Sequence, residues 1–262
     1  MTITEAQLLT WMSTFWLPFV RIAGAMMAAP IFGNRNIPMR VRILLGLLVA
    51  ILVTPNLPES AAVNPLSVSA MLMAANELLI GIMMGFLIQL IFEAFMFAAQ
   101  MIATGMGLAF SVMTDPQQGI SIPVLGQFLM LITTLLFLSM NGHLEFLNMV
   151  AGSFQAWPVG QAWLGADVAF QLAGALSDMF RGAVRVALPA VMALLVVQIA
   201  MGVVSRAAPT LNLFAVGFPI AIFLGFVVVE RILPGLLPIL DFMLTTAVEK
   251  VGLLLQGGSR VD

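Results

Sequence analysis

The chain has 262 residues, with 10 Lys and Arg and 12 Asp and Glu making up 8% of it, against 61% hydrophobic residues and a mean hydropathy of +1.10. A soluble domain carries about a quarter charged residues, so no water-facing surface can be built from this composition. A net charge of −2 offers no basic face to nucleic acid, the absence of Cys excludes disulfides and thiolate metal sites, a single His excludes a multi-His metal cluster, and Lys250 as the only Lys excludes a Walker-type phosphate loop.

Long stretches carry no Asp, Glu, Lys or Arg, among them Ala94–Thr114, Pro116–Leu144, Val186–Ser205 and Ala207–Val229. Each is long enough to cross a bilayer, which takes about 20 residues. The chain therefore reads as an all-α, polytopic helical membrane protein. An outer-membrane barrel would instead alternate polarity in units of about ten residues. Met1–Gln7 lacks the basic start of a cleavable leader, so the first apolar segment is expected to stay in the mature protein.

That segment covers about Leu8–Phe32 and contains Pro18, Arg21 and Pro30. Gly33–Arg42 follows, with Arg35, Arg40 and Arg42 close together. They predict a cytoplasmic first loop and an outside N-terminus. A second apolar segment runs over Ile43–Leu57, and Ala61–Ser69 is a short polar connection. No proline then intervenes until Pro116. One helix over Ser67–Gly105 would span about 58 Å, nearly twice the hydrocarbon core. No turn residues cluster near Glu93, which favours a single long helix. Gly105–Pro123 reads as a loop through its glycines, Asp115-Pro116 and Pro123.

Val124–Met140 is the next span and ends at Asn141-Gly142-His143. Glu145–Asp178 reads as a connection with short helices, Arg181–Ser205 as a helix with an early Pro189, and Arg206–Pro219 as containing a turn at Ala208-Pro209. An apolar helix to Val229 precedes a tail expected to be broken by Pro234 and Pro238, and Gln256–Asp262 is expected to be disordered. Beyond the first loop, Arg181, Arg185, Arg206 and Arg231 fall at successive helix ends on opposite sides. Such failed alternation points to hydrophobic helices covered by protein rather than lipid.

On a continuous helix Glu77, Gly81, Gly85, Gln89 and Glu93 recur every fourth residue as a slowly winding band, which Gln100 and Thr104 extend. It reads as a helix–helix interface in an oligomer or as a polar track for ions. No basic partner recurs along it, which favours the interface. Gly81-x-x-x-Gly85 permits close helix approach, so Leu at Gly81 is expected to block it and Ala to be milder. Arg21 is an intramembrane charge, and Glu77 and Glu93 are its candidate partners. Asp178 and Arg181 form an i,i+3 pair on one helix face. The 20 Met and 19 Phe read as lipid-facing or core filler.

Several segments together resemble one family. Pro30-Ile31-Phe32-Gly33-Asn34-Arg35-Asn36-Ile37-Pro38-Met39-Arg40-Val41-Arg42 looks like its first-loop motif. Glu77-Leu78-Leu79-Ile80-Gly81 with Gly85-Phe86 looks like its glutamate–glycine motif. Gly105, Gly107 and Phe110 followed by Asp115-Pro116 look like its central loop. Asn141-Gly142-His143, Ala187-Leu188-Pro189, and Gly202 with Arg206 and Pro209 leading into Asn212-Leu213-Phe214 and Gly217-Phe218-Pro219 complete the order. Over about residues 5–255 the pattern resembles the FliR family of flagellar biosynthesis proteins, whose virulence-system counterparts are the SctT proteins.

The resemblance implies an export gate subunit of the flagellar type III secretion apparatus, in the inner membrane at the flagellar basal body. It implies FliP and FliQ as partners, one copy of this chain closing their helical ring, FlhB and FlhA nearby, unfolded flagellar proteins as cargo, and no cofactor or catalysis. Residues 1–180 would be a FliP-like helical part and 181–255 a FliQ-like helical hairpin, with long kinked helices forming part of a helical pore assembly. Loop 105–123 would be the plug, with Gly105, Gly107, Phe110, Met113, Asp115, Pro116, Gln117 and Gly119 in it. Glu77, Gly81, Gly85, Gln89, Glu93, Arg206 and Pro209 would lie at subunit interfaces. Arg35, Arg40 and Arg42 would set topology or dock the first loop. The alternative is a secondary transporter or ion channel using Arg21, Glu77 and Glu93 at mid-membrane. It would show an internal repeat, and none is visible.

Overall fold

Among the described residues of the computed structural model every regular element is a helix, as a chain this apolar requires where lipid leaves backbone polar groups no other partner. The structure describes residues 5–34, 37–57, 67–108, 124–160, 166–207 and 213–257. Helix α1 spans Glu5–Ala28 with Pro18 inside, α2 spans Met39–Val53 and closes in a short 3₁₀ turn over Thr54–Asn56, and α3 spans Val68–Gly105. Then come α4 (Val124–Ser139), α5 (Gly142–Ala156), α6 (Ala166–Ala207) and α7 (Leu213–Gly257).

The single long helix expected from the proline-free stretch is present, with 38 residues in α3. The Pro-broken tail is not. α7 runs 45 residues through Pro219, Pro234 and Pro238 without interruption. Each proline removes one backbone bond and kinks a helix. Apolar flanks nonetheless leave the helix as the best state available to the remaining backbone groups. Gln256 and Gly257 end this helix, and residues 258–262, the rest of the expected disordered tail, lie outside the described residues. The mixed region after Glu145 resolves into α5 and the first turns of α6, which begins well before Arg181.

Among the described residues, four helices are long and apolar enough to cross a membrane, or five if the bent pair α4 and α5 counts as one span. The break in that pair falls at Asn141, in the left-handed region at φ 59°, whose carbonyl accepts from the N–H groups of Leu144 and Glu145 at the start of α5. The chain is an all-α polytopic membrane protein.

Two compact units divide the chain. The first comprises Met1–Leu90, Asn141–Leu176 and Leu244–Asp262, and its buried side chains include Ile22, Met26, Ile80, Met84, Phe154 and Trp157, with Phe32 stacked on Phe146 at 5.9 Å. The second comprises Ile91–Met140 and Ser177–Met243. In it Phe92 meets Phe137 edge-on at 5.3 Å and Phe97 meets Phe180 at 5.4 Å. Burial is uneven among the candidate spans. In α3 67% of the most apolar window is buried, against 11% in the span containing α2, 22% in α6 and 17% in α7.

Candidate functional site

The polar residues of α1 and α3 converge inside the first unit. Arg21 Nε donates to Glu77 Oε2 at 2.5 Å, and both side chains are fully withdrawn from solvent. Arg21 Nη1 donates to Ser153 Oγ at 3.2 Å, and the guanidinium carbon lies 4.3 Å from the centre of the Phe154 ring, a cation–π distance. Ser153 Oγ in turn donates to the Val150 carbonyl at 2.6 Å. The second carboxylate oxygen of Glu77 accepts the Gly160 N–H at 3.0 Å. Four parts of the chain (α1, α3, α5 and the turn after α5) therefore meet on one ion pair. Burying two charges costs several kcal/mol each, and only additional hydrogen bonds make such a site tolerable. Among the described residues, Arg21 Nη2 and Trp157 Nε1 are buried without a partner.

The band on α3 explains why the pair can form. Glu77, Gly81 and Gly85 lie one above another and pack against Arg21 and Ala25 of α1 and Ala29 just past its end, so the two helices run parallel here. A Cβ at Gly81 would overlap the Arg21 carbonyl and stand 2.8 Å from the Ala25 nitrogen. One at Gly85 would overlap the Ala25 carbonyl, and one at Gly24 would stand 2.7 Å from the Leu78 carbonyl. Glycine is required because backbone meets backbone. The close approach expected at Gly81-x-x-x-Gly85 is thus made to α1 of this same chain. Ala at Gly81 as well as Leu would therefore force α1 and α3 apart.

The rest of the band changes character. Gln89 is half-buried and Glu93 exposed, while Thr104 donates back to the Gln100 carbonyl at 2.8 Å. Arg21 selects Glu77 rather than Glu93. Both side chains of the pair are wholly buried, so it presents no solvent-open site to a transported ion or solute.

Other predicted residues are dispersed. Arg42 holds the first loop, donating from Nε to the Ile37 carbonyl at 3.1 Å and from a terminal nitrogen to the Asn34 carbonyl at 2.6 Å. Arg40 is exposed, as is Arg206 in the last turn of α6. Asp178 and Arg181 pair at 2.9 Å on α6. Gly105 and Gly107 lie at the end of α3. Arg35, Pro209 and, from the expected plug, Phe110, Met113, Asp115, Pro116, Gln117 and Gly119 lie outside the described residues. Sequence reasoning missed Ser153, Phe154 and Gly160 at the ion pair. The one available signal was a glycine just past Trp157-Pro158, and Gly160 does stand at φ 77°.

Comparison with known proteins shows what this architecture is similar to. The family of bacterial export proteins, family 1, matches residues 12–247. The flagellar biosynthetic protein FliR of Escherichia coli strain K12 is 31% identical over 241 residues, covering 92% of each chain. The protein of the same name from Pectobacterium carotovorum subsp. carotovorum is 35% identical over 244 residues, 93% of each chain. That of Bacillus subtilis strain 168 is 33% identical over 218 residues, covering 81% of this chain and 83% of the relative.

Proposed function

The chain belongs to the bacterial export proteins, family 1, and we propose that it serves as a subunit of the export gate through which unfolded flagellar proteins cross the inner membrane. Its place in the flagellar export apparatus follows from that family and from relatives named flagellar biosynthetic proteins. In this reading it assembles, as one copy, with FliP and FliQ homologues, with FlhB and FlhA nearby at the flagellar basal body. Residues 1–180 are its FliP-like part, 181–255 its FliQ-like hairpin, and loop 105–123 occupies the closed pore.

The carrying observation is the contrast in burial among the apolar helices. α3 is wrapped by its own chain, but α6 and α7 leave most of their most apolar windows bare. α6 and α7 measure about 63 and 68 Å at 1.5 Å per residue, twice the hydrocarbon core of about 30 Å. Lipid alone cannot cover apolar faces of that length, and neighbouring helices can. The central segment 105–123, with its glycines and prolines between apolar flanks, reads from the sequence as a loop, and a loop at that depth would belong beside a water-filled lumen.

Two measurements test this. Expressed alone, the chain should aggregate or be degraded, and with FliP and FliQ homologues it should purify as one large complex. A stable, monodisperse solitary chain in detergent would overturn the gate reading. Deleting 112–120 should leave the complex assembled but leaky to small ions. An assembled, tight deletion complex would remove the pore role of the loop.

A further inference from the structure

α3 ends in a defined closure. Gly107 stands at φ 80°, its N–H bonds the Thr104 carbonyl at 3.0 Å, and the Leu108 N–H reaches back to the Ala103 carbonyl at 3.0 Å. This is the paired C-terminal bonding that a left-handed glycine permits. It leaves the Gly105 carbonyl unserved by the helix itself. Gln198 of α6 serves it instead, donating from Nε2 at 2.9 Å.

Gln198 is the only side chain with a hydrogen-bonding group between Arg185 and Ser205. Its neighbours Val196 and Ile199 are exposed apolar residues. An amide in such a setting is costly unless it is paired. Two further contacts fix the same point. A Cβ on Gly105 would stand 3.1 Å from Leu194 Cδ1, so α6 lies directly against it. Gly225 of α7 leaves room for Met106, which is fully buried, and a Cβ on Gly225 would fall on that side chain. α6 thus holds the last residue of α3, and α7 holds the next one.

We infer that Gln198 is a positioning residue for export. It fixes the point where α3 hands over to the segment assigned to the pore, so that the α6–α7 hairpin, and not α3 alone, sets where that segment starts. The inference rests on the pore role proposed for 105–123. It makes tightness of the closed gate depend on one amide-to-carbonyl bond between helices.

The test uses the assembled complex in lipid vesicles with small-ion leak as the readout. Gln198→Leu keeps size and removes the donor. Complex yield should match wild type, while leak rises about fivefold, the factor carried by one hydrogen bond of ordinary strength. A second chain combines Gln198→Leu with Gly105→Cys and Leu194→Cys. A Gly105 Cβ would lie 3.6 Å from Leu194 Cβ, within disulfide range, in a protein without native Cys. Oxidation should return the leak to the wild-type level and reduction should raise it again. A purely structural role would lower yield and leave the leak insensitive to redox state.

If Gln198→Leu does not assemble, Gln198→Glu, which exchanges donor for acceptor at the same length, is read in the same way. Failure of both to assemble overturns the positioning role. The 112–120 deletion is run in parallel. If it leaks while Gln198→Leu and the reduced Cys pair stay tight, the role of Gln198 is wrong and the pore reading stands. If the deletion itself is tight, the pore reading falls and the role of Gln198 with it.

Discussion

Arg21 and Glu77, 56 residues apart, form an ion pair from which solvent is wholly excluded, and the pair sets the register of α1 against α3. One turn further along the same faces, Ala25 meets Gly81, and one turn beyond that Ala29 meets Gly85. Sliding either helix by a turn would strand two buried charges and drive side chains into backbone. The pair therefore works chiefly by penalising wrong registers, since well-packed apolar residues can match a buried ion pair in stability.

Truncating one partner should be far worse than replacing both. Among the described residues, Arg21→Met leaves Glu77 buried with the Gly160 N–H, and Glu77→Met leaves Arg21 with Ser153 and Phe154. Each should cost about 3–5 kcal/mol. The double variant should recover at least half of the summed loss, measured as a double-mutant cycle on thermal unfolding of the purified complex. Strict additivity would show that the two side chains do not depend on each other.

Gly81→Ala and Gly85→Ala should each prevent a stable fold of this subunit, because their Cβ atoms would collide with carbonyl oxygens of α1 that cannot move without the whole helix moving. Gly152→Ala is the control. Nothing lies within 4 Å of a Cβ there, and the exchange should gain up to about 1 kcal/mol of helix stability. Protease resistance of the membrane-inserted chain reports the difference. Equal resistance of Gly81→Ala and Gly152→Ala would mean that α1 and α3 do not touch as described.

How far the sequence disclosed this arrangement depended on range. α3 was legible because helix formation is local and no proline interrupts its stretch. The i+4 band was legible for the same reason, but its use was not. Glu77 and Glu93 share that band, and only the packing of α1 decides that Arg21 meets the former. Ser153 and Gly160 reach the pair from 132 and 83 residues away, and Gln198 reaches Gly105 from 93. Such contacts leave no periodic trace in one chain. α7 was misread for the opposite reason. A local rule, that proline ends helices, was applied where an apolar setting overrides it.

The first loop should be more sensitive at Arg42 than at Arg40. Arg42 bonds two loop carbonyls, whereas Arg40 is exposed. Arg42→Gln should loosen the loop and raise its protease cleavage severalfold, while Arg40→Gln leaves cleavage unchanged. Lys at 42 should rescue only in part, since one ammonium cannot reproduce the guanidinium fork. Identical cleavage of the Gln variants would show that the loop is held by something other than Arg42.

Gly202 asks what covers α6. It lies inside the helix on an exposed face beside Ile199 and Val203, and a Cβ there would meet nothing within 4 Å. Among the described residues nothing gives it a steric reason to be glycine, and it costs the helix about 1 kcal/mol relative to Ala. A neighbouring helix packed closely against this face would supply the reason, as small residues do where membrane helices associate. Gly202→Ala should then leave complex yield near wild type. Gly202→Leu should cut it at least severalfold while the helix content of the chain itself is unchanged. The check is the amount of partner subunits recovered with a tagged chain, with circular dichroism of the same preparation reporting helicity. Full recovery of partners by Gly202→Leu would show that this face of α6 looks at lipid, and would move any covering partner to another side of α6.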